Sequence, residues 1–262
     1  SMGYDDRILF KGLNFEIYRG EKVALIGPNG IGKSTLFKII MNELTPLSGE
    51  VKLGTNVNVA YFHQEQKTLN LDNTIIDEIW DTNDKLTQTE IRNMLGSLLF
   101  EDDDVFKKIS TLSGGERARI AILKLILSKA NFLLLDEPTN HLDADAIEWL
   151  EFFLKQYNGT VMLISHDRYF LDQVVGRVFE VHNKKLKSYN GNYSKFIELS
   201  KIEKELELKK YEDQQKDLKK QEESIERLKA FGREKHLKRA RSKEKALAKV
   251  DVLDKPEAYR KK

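Results

Sequence analysis

Five short stretches of this chain carry residue types at spacings suited to phosphate chemistry. The most complete is Gly27-Pro28-Asn29-Gly30-Ile31-Gly32-Lys33-Ser34, with Thr35 directly after it. Gly27, Gly30 and Gly32 let successive backbone N–H groups turn inward around phosphate oxygens. A helix starting near Lys33 would add its positive dipole end. Asn29 and Thr35 fall among the residues that such a loop turns toward a nucleotide. Lys33 is a mobile positive charge for β- and γ-phosphates, and Ser34 offers a hydroxyl to Mg2+. The apolar run just upstream, Lys22–Ile26, supplies the strand that this loop requires.

The second stretch, Phe132 to Glu137, is an apolar run ending in two acids. Asp136 suits the hydration shell of Mg2+, and Glu137, one residue further, can polarise an attacking water. The third, Ser165-His166-Asp167, also ends an apolar run, so His166 can touch a γ-phosphate and orient that water. The fourth, Tyr61 to Glu65, offers Gln64 as a bridge between Mg2+ and water; His63 beside it reads as incidental. The fifth is Leu112-Ser113-Gly114-Gly115-Glu116, at the head of a segment with apolar residues in helical rhythm. Ser113 and the N–H groups of Gly114 and Gly115 form a second anion site. One γ-phosphate already has its cradle at Lys33, so this second site faces another molecule or domain. A nucleotide held between two half-sites would join them, and its hydrolysis would release them.

These stretches need a scaffold. Lys22–Gly27, Asn131–Asp136 and Thr160–Ser165 are short apolar runs of the kind buried in parallel sheets. Each ends in a polar turn, and α/β sheets place ligands at the carboxyl ends of their strands. Residues 1–199 therefore read as one α/β domain. After Ser200 the chain becomes rich in good helix formers, free of proline and glycine up to Gly232. The run from Ser200 to Ala230 would span roughly 45 Å as a helix. Tyr211, Leu218 and Ile225, seven apart, form a thin apolar seam. Gly232 marks a break. A second helix is expected with Leu237, Ala240, Leu247 and Val250 on one side and Pro256 as its stop. Residues 200–262 read as a charged helical hairpin.

The bulk numbers narrow the class. The chain has 262 residues and no cysteine, which excludes disulfides and cysteine-held metals and fits a reducing compartment. No apolar run approaches the roughly 20 residues of a bilayer span, and no signal-peptide pattern is visible. The opening Ser-Met-Gly resembles a tag remnant. Net charge is +2, yet Arg227 to Lys249 holds ten Lys or Arg against two Glu, a local +8 that leaves −6 for the remainder. That asymmetry points to a polyanionic partner for the basic segment.

The phosphate loop, Gln64, "LSGGE", "LLLDEPTNHLD" and "SHD", in this order, resemble the motifs of an ATP-binding-cassette (ABC) ATPase over residues 4–199. The resemblance implies an α/β P-loop nucleotide-binding domain with a parallel core and antiparallel β and α-helical subdomains. It implies ATP and Mg2+ as cofactors and ATP hydrolysis to ADP and phosphate. Glu137, His166 and Lys33 would then be the catalytic residues, and Ser34, Gln64 and Asp136 the metal-side residues. Tyr4 falls where the family stacks an aromatic on adenine, and Asp143 lies in the loop that communicates across a cassette dimer. Residues between Gln64 and Ser113 would be the helical subdomain.

"DEPTNHLD", "SHDRYFLDQV" and "YNGNYSKF", running into a charged hairpin with "RARSKEKALAK", are similar to the ABC-F group in particular. Members of that group are soluble, carry two cassettes and act on ribosomes, some protecting them from antibiotics. A cytoplasmic location and a second cassette as partner, another domain or another copy, follow as expectations. Lys229, Arg233, Lys235, Lys238, Arg239, Arg241, Lys243 and Lys245 would form a basic hairpin tip contacting ribosomal or transfer RNA. The alternatives are the ATPase subunit of a membrane transporter and an assembly module that uses ATP only as dimer glue. Three departures stand out. There is one cassette, the strand usually found before Tyr4 is missing, and second-cassette-like and first-cassette-like parts are mixed. Such a mixture is expected of a truncated or spliced chain.

Overall fold

The computed structural model describes residues 2–4, 7–10, 12–62, 69–140, 142–182, 184–230, 233–248 and 250–253, without the side chains of 2–10, Asp102 and Lys235. The chain divides into two units, residues 1–196 and 197–262.

The first unit is built on a six-stranded sheet. Its strands are β3 (Lys22–Ile26), β4 (Val59–Phe62), β5 (Phe132–Asp136), β6 (Thr160–Ile164), β7 (Arg177–His182) and β8 (Lys185–Asn190). Their order is β4-β5-β6-β3-β7-β8, with every neighbouring pair parallel except β7 and β8. All residues of β5 and β6 are buried, which is why these strands read as unbroken apolar runs. Successive side chains leave opposite faces of a strand. One face carries Val23, Leu25, Leu134, Met162 and Ile164, and it packs on Leu36, Phe37, Ile39 and Ile40 of α1 (Lys33–Ile40). Leu133, Leu135, Val161 and Leu163, which alternate with them, are equally buried. Burying each such side chain stabilises the fold by about 1.5–3 kcal/mol.

Two other strands, β1 (Met2–Tyr4) and β2 (Arg7–Phe10), pair antiparallel as a separate ribbon. Among the described residues, this ribbon and the β7–β8 pair are the antiparallel part of the fold. Residues 13–18 keep a strand's rhythm, with Leu13, Phe15 and Ile17 half-buried and Asn14, Glu16 and Tyr18 exposed, yet form no regular strand.

A helical layer interrupts the sheet between β4 and β5. It comprises α2 (Ile75–Trp80), α3 (Gln88–Ser97), 3-10 turns at Asp102–Phe106 and Ile109–Thr111, and α4 (Gly114–Leu127). Its core is Ile75, Ile79, Ile91, Leu95 and Ile109, all at most 1% exposed. A buried ion pair between Glu78 of α2 and Lys124 of α4 fastens this layer, and Asn73 Nδ2 donates to the second Glu78 oxygen at 2.9 Å. After β5 come α5 (Ala144–Gln156) and α6 (Arg168–Val174), capped by the carboxylates of Asp143 and Asp167.

The second unit is a helical hairpin. Its first helix, α7 (Tyr193–Ala230), has 38 residues and begins seven residues before the composition changes at Ser200. At 1.5 Å per residue it is about 57 Å long. Its start is marked by Asn192, whose side chain accepts from the Lys195 N–H at 3.1 Å. The return helix, α8 (Glu234–Leu247), ends well before Pro256, contrary to expectation. The reason lies in Gln214, whose amide donates to the Asp251 carbonyl and accepts from the Leu253 N–H, both at 2.8 Å, holding that backbone off the helix. Ile225 and Ala240 are buried within the hairpin. Lys243 Nζ reaches Ser224 Oγ at 2.8 Å and Lys229 pairs with Glu244 at 2.5 Å. The expected break at Gly232 lies outside the described residues.

Candidate functional site

The loop between β3 and α1 takes a shape only glycine permits at key points. Gly30 and Gly32 have φ of +73° and +103°, the left-handed region that disfavours side chains. A Cβ on Gly27 would lie 2.8 Å from the Val181 carbonyl oxygen, so any larger residue would push the loop off β7. Gly32 is the N-cap of α1 and brings no side-chain cap, which leaves the helix start to a ligand anion or solvent. Ser34 is exposed in the first turn of α1, and Asn29 is exposed in the loop itself.

Lys33 bends back over the loop, its Nζ donating to the carbonyls of Gly27 at 2.8 Å and Pro28 at 3.2 Å. Burial pushes its pKa down, against the upward pull of Glu137 and Asp136. The sheet thus brings together three charges that are far apart in sequence. Because β5 and β6 lie in register, Asp136 sits opposite Ile164, and Glu137 N–H donates to the Ile164 carbonyl at 2.8 Å. Glu137 has φ of +50°, costly for a glutamate. Two contacts then fix its carboxylate: the His166 N–H at 3.2 Å and His166 Nε2 at 3.3 Å. The glutamate side chain is 11% exposed and the imidazole 66%, so one oxygen pair faces protein and the ring faces outward. Behind them Thr139 and Ser165 share a buried hydroxyl–hydroxyl hydrogen bond of 3.2 Å.

Asp136 is buried, and its Oδ2 accepts a hydrogen bond from the Tyr61 phenol at 3.1 Å. Burial, reinforced by that carboxylate, holds the Tyr61 phenol well above its ordinary pKa. Among the described residues no group of three or more His, Asp or Glu could hold a metal ion unaided. Mg2+ binds through one or two protein oxygens plus phosphate oxygens and water. Ser34 and Asp136 fit such a role. Gln64 lies outside the described residues, and Tyr4, in β1, has no described side chain.

Ser113 is the N-cap of α4, as expected, but its hydroxyl is already engaged. Its Oγ accepts from the Glu116 N–H at 3.2 Å, and its own N–H donates to Glu116 Oε2 at 2.7 Å. This capping box holds the Glu116 carboxyl below its ordinary range, chiefly through the bonds from Ser113. A phosphate reaching Ser113 would meet that carboxylate. Asp143 has one oxygen engaged as well, its Oδ1 capping α5 by accepting from Ala146 N–H at 2.9 Å, while its side chain stays largely exposed.

Arg119, one turn into α4, lay hidden in an apolar run. It is 9% exposed, donates to the Leu98 carbonyl at 3.0 Å, stacks on Phe100 and approaches Asp143 Oδ2 at 4.0 Å. It ties the helix headed by Ser113 to the cap of α5. A large open groove, about 1970 Å³, is elsewhere. It is lined by Leu13, Phe15, Phe132, Trp149 and Phe153, toward the amino ends of the strands. The phosphate chemistry lies at the opposite strand ends.

A family model described as ABC transporter matches residues 10–140, and a second, for an extension of the same family, matches 179–262. The chain is 48% identical to the ATP-binding protein YdiF of Bacillus subtilis over 203 residues, 78% of this chain and 31% of that protein. It is 46% identical to ABC transporter F family member 5 of Arabidopsis thaliana over 75% of this chain and 29% of the relative. Against the ATP-binding protein Uup of Escherichia coli K12 identity is 40%, over 71% and 30%. The chain thus spans about three tenths of the length of these curated relatives. No described helix is long and apolar enough to cross a membrane. The ordered motifs, the parallel sheet that assembles them and both family matches place the chain in the ATP-binding-cassette family, in its ABC-F group.

Proposed function

We propose that residues 1–196 bind ATP with Mg2+ and hydrolyse it to ADP and phosphate when a second cassette closes over the nucleotide. The observation that carries this reading is Glu137, a strained glutamate gripped twice by His166 in electrostatic reach of Lys33. Strain of this kind collects where chemistry is done.

The loop glycines cradle the phosphates, and Lys33 exchanges its two loop carbonyls for β- and γ-phosphate oxygens. Mg2+, when bound, neutralises charge developing on the phosphates. Glu137 orients and polarises the attacking water, and His166 keeps its carboxylate aimed. Ser113 of the second cassette, with Gly114 and Gly115, meets the γ-phosphate from the far side. Reaching it requires Glu116 to withdraw from the α4 cap. Asp143, linked through Arg119 to α4, would report closure between the two cassettes.

The hairpin, in this reading, contacts RNA of the ribosome through Arg233, Lys238, Arg239, Arg241 and Lys245, with Lys235 beside them. Lys229 and Lys243 hold the hairpin together through Glu244 and Ser224, so they contribute less. A ribosomal partner would make the working location the cytoplasm. Two of the relatives are named as ATP-binding proteins, and an ATP-driven grip on RNA accounts for both units of one chain. The test is co-sedimentation of Glu137→Gln protein plus ATP with ribosomes and with membrane vesicles. Enrichment with ribosomes supports the reading; enrichment with vesicles alone overturns it.

A further inference from the structure

We infer that Tyr61 is a positioning residue for Mg2+, aiming the Asp136 carboxylate by holding one of its oxygens. This rests on the ATP–Mg2+ reading of the site.

In the parallel pairing of β4 with β5, Tyr61 lies opposite Leu134, which puts Asp136 two residues further along the same face. The phenol crosses that diagonal and donates to Asp136 Oδ2 at 3.1 Å. A carboxylate has two oxygens and about four lone-pair sites. With Oδ2 held by the phenol, Oδ1 is the oxygen turned to the metal's water shell. A buried carboxylate without this anchor can rotate about its terminal torsion, which is broad and two-fold.

The tyrosine itself is firmly seated. Its ring packs edge-on against Phe37 at 5.9 Å between centroids, and Phe37 is a fully buried residue of the phosphate-loop helix α1. Tyr61 therefore bridges α1 and the acidic end of β5, the two elements from which Mg2+ would take its protein oxygens. Magnesium tolerates little departure from octahedral geometry, so a carboxylate fixed in direction is worth more to it than to a softer site. Tyr61 acts on the metal through Asp136, as a positioning residue.

Tyr61→Phe removes the hydroxyl and keeps the ring. The experiment titrates Mg2+ against full-chain protein carrying fluorescently labelled ADP, for wild type, Tyr61→Phe, Asp136→Asn and the double variant. The Mg2+ midpoint should rise roughly tenfold in Tyr61→Phe, the worth of one hydrogen bond to a charged group. Labelled-ADP affinity without Mg2+ should be unchanged, and Tyr61→Phe should add nothing in the Asp136→Asn background. An unshifted midpoint overturns the inference. So does an equal loss of affinity without Mg2+, which would mark general damage to the pocket. A wild-type chain that binds labelled ADP with no response to Mg2+ would overturn the metal reading of the site itself, a result separable from the first two.

Discussion

The two units of this chain hold their charges in opposite ways. In residues 1–196 the functional charges are few, buried or partly buried, and each is fixed by a specific hydrogen bond: Lys33 on two loop carbonyls, Glu137 on the His166 N–H, Asp136 on a phenol. In residues 197–262 the charges are many and exposed, and their ion pairs, Lys201–Glu205, Lys216–Asp213, Lys220–Asp217 and Lys229–Glu244 among them, lie at the surface. Fixed charges in a protected site act strongly on one ligand atom. Exposed, mobile charges act weakly and additively on a polyanion. Substitutions in the first unit should therefore be all-or-none, and substitutions in the second graded.

The contrast breaks most directly at Lys33. Lys33→Ala should lower ATP affinity by about two orders of magnitude, read by fluorescent nucleotide titration, because it removes the one side-chain cation folded onto the loop. Hairpin binding to RNA measured without ATP should be untouched; a loss there would show that the units are not separable.

Next in size is Glu137→Gln. Phosphate release should fall roughly 10²- to 10³-fold, in the range set by a positioned general base, while ATP binding persists. Undiminished turnover would move the water-activating role elsewhere.

Graded behaviour is the signature of the hairpin. Replacing Lys238, Arg239 and Arg241 with glutamine should reduce the salt slope of RNA binding by about 2–3, with each single change giving about a third of that. One residue carrying the whole effect would contradict a diffuse polyanion contact. Within the same unit, Ile225→Ala should lower helical stability by about 2 kcal/mol or more, seen as an earlier far-UV melting phase, and leave nucleotide affinity alone.

The smallest expected effect is acid sensitivity of the α4 cap. Glu116 has a folded pKa below its ordinary value, so its contribution is present above about pH 4.3 and lost as pH falls through the folded value. Thermal midpoints of wild type and Glu116→Gln should converge below that range and differ above it. A constant gap would mean that the capping box adds no pH-dependent stability.

Much of the first unit could be read directly from the chain. Strands buried on both faces cannot alternate, so β3, β5 and β6 appear as plain apolar runs, and the acids and glycines at their ends mark the ligand side. What escaped reading were polar groups whose role depends on a distant partner. Nothing in the local sequence singles out Tyr61 or Arg119, because their partners, Asp136 for the one and Leu98 and Asp143 for the other, lie far along the chain. The Ser113–Glu116 box is different, since serine followed three residues later by glutamate is itself a helix-start pattern. In the hairpin, composition located the helices but not their ends. The change at Ser200 reflects a shift to exposed charge, whereas the helix begins where Asn192 caps it, and α8 ends where Gln214 captures the chain.

The central claim is that ATP is held between two half-sites, Lys33 on one side and Ser113 of another cassette on the other. The direct measurement is an experimental structure of Glu137→Gln protein with ATP and Mg2+. The account predicts Ser113 Oγ within hydrogen-bond distance of a γ-phosphate bound at Lys33 of a second molecule, with Glu116 turned away from the α4 cap. Ser113 still closed on Glu116, and remote from every terminal phosphate, would contradict it.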